Sequence, residues 1–148
     1  MELNKNLYIE PRKGENHLSL DSTWKFTYID ERIEEIQGLD FKFSATIPQA
    51  AGWCLYETGI LPHPYEDTNS ALYEFMNSKV WYFKKEFTVK EENKEDIAYL
   101  CFDGLAYYSR IWLNGVLLGD HEGMLGGPVI EVSEHINTGK NTLVVECT

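Results

Sequence analysis

The chain has 148 residues, 43% hydrophobic and 14% aromatic, enough for one domain with a sizeable core and too few for two. Its formal net charge is −11, with 13 basic residues scattered against 24 acidic ones. That excess repels phosphate backbones and anionic headgroups, so neither nucleic acid nor a membrane is an expected partner, while neutral ligands such as sugars are unaffected.

The three cysteines, Cys54, Cys101 and Cys147, are far apart and show no CxxC spacing, so buried, inert thiols in a reducing compartment are expected. The N-terminal "MELNKNLYIEPRKGENHL" has no apolar signal-peptide core, and no apolar run approaches a membrane span. A cytoplasmic location follows as the expectation. Residues 1–16 read as a lead-in, and 17–148 as one domain.

In chain order, "WKFTYI" (Trp24–Ile29) alternates apolar and polar residues and is rich in aromatic and β-branched types, which predicts a half-buried strand. "DERIEEIQGLD" reads as an exposed connection, and "FKFSATIP" (Phe41–Pro48) as a second strand stopped by Pro48. From Pro48 to Lys79 the alternation fails. Short helical pieces are expected at Cys54–Thr58 and Ala71–Phe75, the second capped by Asn69 or Ser70. An ordered connection of that length is often functional.

Strands dominate the remainder. "VWYFKKEFTV" (Val80–Val89) puts Trp81, Phe83, Phe87 and Val89 on one face, with Lys85 the exception among them. "IAYLCF" (Ile97–Phe102) is apolar on both faces and reads as a central buried strand. "SRIWL" and "VLLG" flank Asn114-Gly115, a strong short-range hairpin signal because a type I′ turn needs positive φ at both central positions. "PVIEV" (Pro128–Val132) and "NTLVVE" (Asn141–Glu146) complete the run. The fold class is therefore all-β, a sandwich or jelly roll.

Catalytic motifs are missing: there is no GxSxG, Walker loop, HExxH or dinucleotide fingerprint. "GMLGGP" reads as a conformational loop. Asp120, His121 and Glu122 are consecutive, and neighbours on a strand point to opposite faces, so a solvent-facing cluster is expected rather than a metal site. No catalytic residue, metal ligand or cofactor is assigned. Carbohydrate binding needs flat aromatics and planar polar groups, and the long connection supplies Trp53, Tyr56, His63, Tyr65, Asp67, Asn69 and Tyr73. Each aromatic serves equally well to pin the loop onto the sandwich.

The blocks "SLDSTWKF", "IPQAAGWCLYETGILPHPYEDTNSALYEFMNSKVWYFKKEF", "FDGLAYYSRIWLNGVLLGDHEG" and "NTLVVE" resemble, in order and spacing, the N-terminal sugar-binding domain of glycoside hydrolase family two. That domain is a galactose-binding-like jelly roll of β-galactosidases, β-glucuronidases, β-mannosidases and exo-β-glucosaminidases. "TGILPHPYEDTN" is most similar to the mannosidase and glucosaminidase branch. The resemblance implies a domain that breaks no bond itself, because the family's acid/base and nucleophile glutamates sit on a separate barrel. The family's Asn-Glu acid/base dipeptide occurs nowhere in this chain.

The implied role is a wall of the pocket for the terminal sugar of a glycoside, packed against a downstream catalytic domain of the same polypeptide. The implied substrate contacts are Asn69 first, then Tyr65 and Asp67. Family members continue past the strand matching "NTLVVE", whereas this sequence stops at Thr148. The sandwich is thus expected to lack its last strands and to expose an edge that invites pairing between copies, a homo-oligomer. Two other readings stay open: a free-standing carbohydrate-binding module, and a β-sandwich interaction domain without sugar affinity.

Overall fold

A computed structural model describes residues 17–93 and 97–148, so the lead-in assigned to 1–16 lies outside the described residues. Eight strands carry the fold: β1 (Ser22–Ile29), β2 (Phe43–Ile47), β3 (Val80–Val89), β4 (Tyr99–Cys101), β5 (Tyr108–Leu113), β6 (Val116–Glu122), β7 (Val129–Glu131) and β8 (Gly139–Cys147). Helix α1 (Ala51–Glu57) and a 3-10 helix (Asn69–Ser78) lie between β2 and β3. The six-stranded sheet runs β2-β1-β3-β8-β5-β6, all antiparallel, and β4 pairs with β7 alone.

The two sheets close on one core. Leu100 and Ile130 of the small sheet meet Trp24, Ile111, Leu113, Leu118, Leu143 and Val145 of the large one. A second cluster joins Phe26, Ala45 and Trp81 to Cys54 and Leu55 of α1. Each Leu, Ile, Val or Phe among them taken fully from water contributes about 1.5–3 kcal/mol. Lys85 is the one charged residue on the inner row of β3, and its ammonium reaches the margin to bond Ser22 Oγ and Thr23 O (3.0 Å).

The central strand is β8, not the segment at Ile97–Phe102. β8 lies between β3 and β5, so the end of the sequence fills the middle of the sheet. In β4 only Leu100 turns inward, while Tyr99 is 53% exposed and Ile97, just before the strand, 60%. Apolar character on both faces was a misleading cue there, because β4 has a single pairing partner among the described residues.

"DERIEEIQGLD" is no free connection either. Ile33, Ile36, Leu39 and Phe41 lie over Val80, Tyr82, Trp112 and Val144 on the outer face of the large sheet. This strap leaves β8 buried on both sides. The Asn-Gly turn forms as expected, with φ of 51° at Asn114 and 82° at Gly115.

The register Ile29↔Val80, Trp81↔Cys147, Ser109↔Cys147 and Tyr108↔Glu122 gathers several strand ends at one end of the sheet. The 3-10 helix, which stops at Ser78, arrives at that end.

Candidate functional site

The segment between Pro48 and Lys79 folds because each half is tied to the sandwich. Helix α1 buries Cys54 and Leu55 and turns Trp53 and Tyr56 away from the core. It ends in a Schellman motif: Gly59 N–H donates to Tyr56 O (2.9 Å) and Ile60 N–H to Leu55 O (3.2 Å). Gly59 takes φ of 73°, the left-handed conformation that this cap requires. Glu57 then clamps α1 to β2, accepting from the Thr46 N–H (3.0 Å), the Thr46 hydroxyl (2.7 Å) and Gln49 Nε2 (2.5 Å). Those bonds, the Thr46 N–H first, hold its pKa below the usual carboxylate value.

The 3-10 helix starts at Asn69 and is capped by Thr68, without a side-chain cap bond, so neither Asn69 nor Ser70 caps it. Asn69 does other work. Its Nδ2 donates to His63 O at 3.0 Å, while its backbone N–H bonds Glu66 O at 3.1 Å. Tyr73 OH donates to Pro62 O at 2.6 Å, and Trp81 Nε1 to Met76 O at 3.4 Å. Gly52 of α1 lets the helices touch, since a Cβ there would sit 3.5 Å from the Tyr73 ring and 3.6 Å from Met76 Sδ.

Between the helices the rings of Trp53, Tyr56, His63 and Tyr65 meet edge to face, with centroids 5.2–6.0 Å apart. The result is an aromatic shelf rather than a closed cavity. Tyr65 is 80% exposed at its outer lip. Asp67 is also exposed and holds a left-handed φ of 48°. Of the three substrate contacts expected from sequence, Tyr65 and Asp67 face solvent, and Asn69 is half-buried with its amide N–H₂ engaged. The structure brings all three into one loop, sewn together at His63.

Other chemistry-bearing groups separate. On β6, Asp120 and Glu122 are exposed but His121 is half-buried, its Nε2 buried without a partner among the described residues, so the expected solvent-facing cluster is corrected at His121. The cause is strand alternation itself. Among the described residues no group of His, Cys, Asp and Glu is placed to hold a metal.

Burial, above all, pushes the Cys54 and Cys147 thiols up to about 11, which keeps them protonated and poorly nucleophilic. Cys101, by contrast, is exposed on β4, against the expectation of a buried thiol. A groove of about 360 Å³ runs beside β5 and β6, lined by Arg32, Tyr108, Arg110, Asp120 and His121 among others. It does not include the residues of the aromatic shelf. No helix among the described residues is long and apolar enough to cross a membrane.

Comparison with known proteins agrees with this architecture. The family model "Glycosyl hydrolase 2 galactose-binding domain-like" matches residues 10–148. A putative beta-glucuronidase of Formosa agariphila is 30% identical over 92 residues, 61% of this chain and 11% of that protein. A beta-galactosidase of Priestia megaterium is 23% identical over 141 residues, covering 86% and 14%. The crystal structure of a beta-D-mannosidase from Dictyoglomus thermophilum superposes with a TM-score of 0.73 at 26% identity, over 87% of this chain and 15% of that one.

The chain thus spans between a tenth and a sixth of the length of these relatives. The eight antiparallel strands, the two-layer core and the match over residues 10–148 lead to one conclusion: the chain belongs to the glycosyl hydrolase 2 galactose-binding domain-like family.

Proposed function

We propose that the chain is the non-catalytic N-terminal domain of a retaining exo-glycosidase, where its aromatic shelf forms one wall of the pocket for the terminal sugar. The observation that carries this reading is the contrast in coverage: the domain family matches residues 10–148, yet the chain's alignment with a relative named beta-galactosidase spans only 14% of that protein. Retaining hydrolysis uses two carboxylates about 5–5.5 Å apart across the scissile bond. In this reading they belong to a downstream barrel of the same polypeptide.

The shelf's part is to bind and orient. Tyr65 offers a ring face, Asp67 accepts from sugar hydroxyls, and the Asn69 carboxamide oxygen accepts from another. Contacts of this kind to an open-sided wall suit a chain-end sugar rather than the interior of a polymer. The likeness to the beta-D-mannosidase structure favours a β-mannoside as the first substrate to try.

The test has two arms. The 148-residue chain, offered p-nitrophenyl β-D-mannoside, galactoside, glucoside and glucuronide, releases no nitrophenol above the spontaneous rate. Titrated with the free sugars, it binds none more tightly than about 1 mM, because one wall supplies only part of the contacts. Turnover by this chain overturns the non-catalytic reading, and micromolar affinity favours a free-standing binding module.

A further inference from the structure

His63 is the point through which the shelf's loop is held. Its backbone O accepts from Asn69 Nδ2 (3.0 Å) and from the Glu66 N–H (3.3 Å). Its Nδ1 accepts from the Tyr65 N–H at 3.2 Å, which leaves the ring proton on Nε2. The ring is wedged edge-on against Trp53 (5.3 Å) and Tyr56 (5.2 Å), both on the rigid surface of α1. No carboxylate lies within ion-pairing distance of the imidazole among the described residues.

We propose that His63 is the positioning residue of the sugar-facing loop: it ties the loop to α1 through its ring, holds Tyr65 through Nδ1, and accepts from Asn69 through its backbone carbonyl. This rests on reading that loop as a sugar-contacting wall. The physical case is conformational. Glu66 and Asp67 are exposed, and Tyr65 meets only the ring edges of Trp53 and His63, so the backbone geometry here leans on hydrogen bonds. The contact from a side-chain acceptor to the N–H two residues on is the pattern of an Asx turn, which fixes a chain reversal without burial. Here the imidazole occupies the place where Asn or Asp ordinarily stands. Without that acceptor the Tyr65 N–H turns to water, and the reversal that carries the chain toward Asp67 loses this bond.

Three substitutions separate the parts. His63→Phe keeps the ring wedge and removes the acceptor, His63→Asn keeps an acceptor for an Asx turn, and His63→Ala removes both. In the isotopically labelled 148-residue chain, long-range proton–nitrogen correlation should show the Nε2–H tautomer of His63. The Tyr65 amide should exchange slowly in the native chain and in His63→Asn, and rapidly in His63→Phe and His63→Ala.

In the longer polypeptide carrying the catalytic domain, Asn69→Ala sets the reference. His63→Phe should raise KM for p-nitrophenyl β-D-mannoside about tenfold with kcat nearly unchanged, and His63→Asn should recover most of it. A fast-exchanging Tyr65 amide in the native chain overturns the proposal. So does an unchanged KM in His63→Phe where Asn69→Ala raises it. An unchanged KM in Asn69→Ala instead overturns the sugar-wall reading, and the amide exchange then decides the role of His63 independently.

Discussion

Asn114 and Asn141 are bonded side chain to side chain, Asn114 Nδ2 donating to Asn141 Oδ1 at 2.8 Å. Around that bond, Asn114 Nδ2 also reaches His135 O (2.8 Å), and its Oδ1 accepts the Thr142 N–H (2.9 Å). Asn141, 1% exposed, donates to Asn137 O and Gly139 O and accepts the Asn137 N–H. The hairpin residue is therefore also the staple between β5 and the turn into β8. Asn114→Gly keeps the positive φ but removes the staple and leaves buried polar groups unpaired. Its unfolding free energy, measured in urea, should fall by about 1–3 kcal/mol; a wild-type midpoint would reduce Asn114 to its backbone role.

A second buried hub fixes the strap. Glu146 is fully buried, accepts from Tyr82 OH (2.6 Å) and from Arg110 Nη2 (2.5 Å) and Nε (3.0 Å), and is ion-paired with Arg32 at 2.8 Å. Arg110 also donates to Ile33 O (2.5 Å), which anchors the strap over the sheet. Glu146→Ala removes the buried partner of Arg110 and leaves it, among the described residues, only the exposed Glu34 as an ionic partner, and should cost about 3–5 kcal/mol. Limited proteolysis should then cut first within residues 30–41.

Burial first, and the bond to Glu146 second, push the Tyr82 phenol up to about 12. A pKa raised in the folded state gives stability that is complete below the unfolded value, about 10, and is lost as pH rises through the folded one. Urea midpoints of the native chain should thus fall more steeply than those of Tyr82→Phe between about pH 10 and 12. Parallel curves would show that Tyr82 titrates alike in both states.

Glu57 has the opposite sign. Its lowered pKa means that the clamp between α1 and β2 is present above the ordinary carboxylate range, about 4.3, and is lost as pH falls through the folded value. Thermal melts of the native chain and Glu57→Gln should differ most near neutrality and converge in acid. A gap that persists at pH 2 would place the effect elsewhere.

The small sheet, β4 with β7, has an unpaired edge on each strand among the described residues. Pairing between copies through these edges is the proposed self-association of the 148-residue chain. Sizing with light scattering should show mass rising with concentration, and Leu100→Lys, which disturbs β4 packing, is to be avoided in favour of Tyr99→Pro on the exposed side. A constant monomer mass up to the highest soluble concentration removes the proposal.

Much of this fold was legible because periodicity-two patterns mark strands whose two faces differ, as in Trp24–Ile29 and Val80–Val89. The Asn-Gly pair specified its turn through φ alone. Two segments misled for one shared reason. The packing of "DERIEEIQGLD" depends on an outer sheet face assembled from β3, β5 and β8, far along the chain, and the exposure of Ile97 and Tyr99 depends on a partner strand that local pattern does not reveal.

At the candidate site, the residue types were legible and the wiring was not. Asn69 looked like a helix cap by position, yet its amide is taken up by His63. A helical piece ending at Thr58 was readable one residue from the observed end of α1, whereas the bonds of Glu57 to Thr46 join positions that only the folded chain brings together.

The most direct test of the central claim is to sequence the transcript in frame past the codon for Thr148. The transcript should encode a continuing polypeptide that includes a barrel with two glutamates, one of them in an Asn-Glu pair. A stop codon immediately after Thr148, or a following domain without a carboxylate pair, would contradict it.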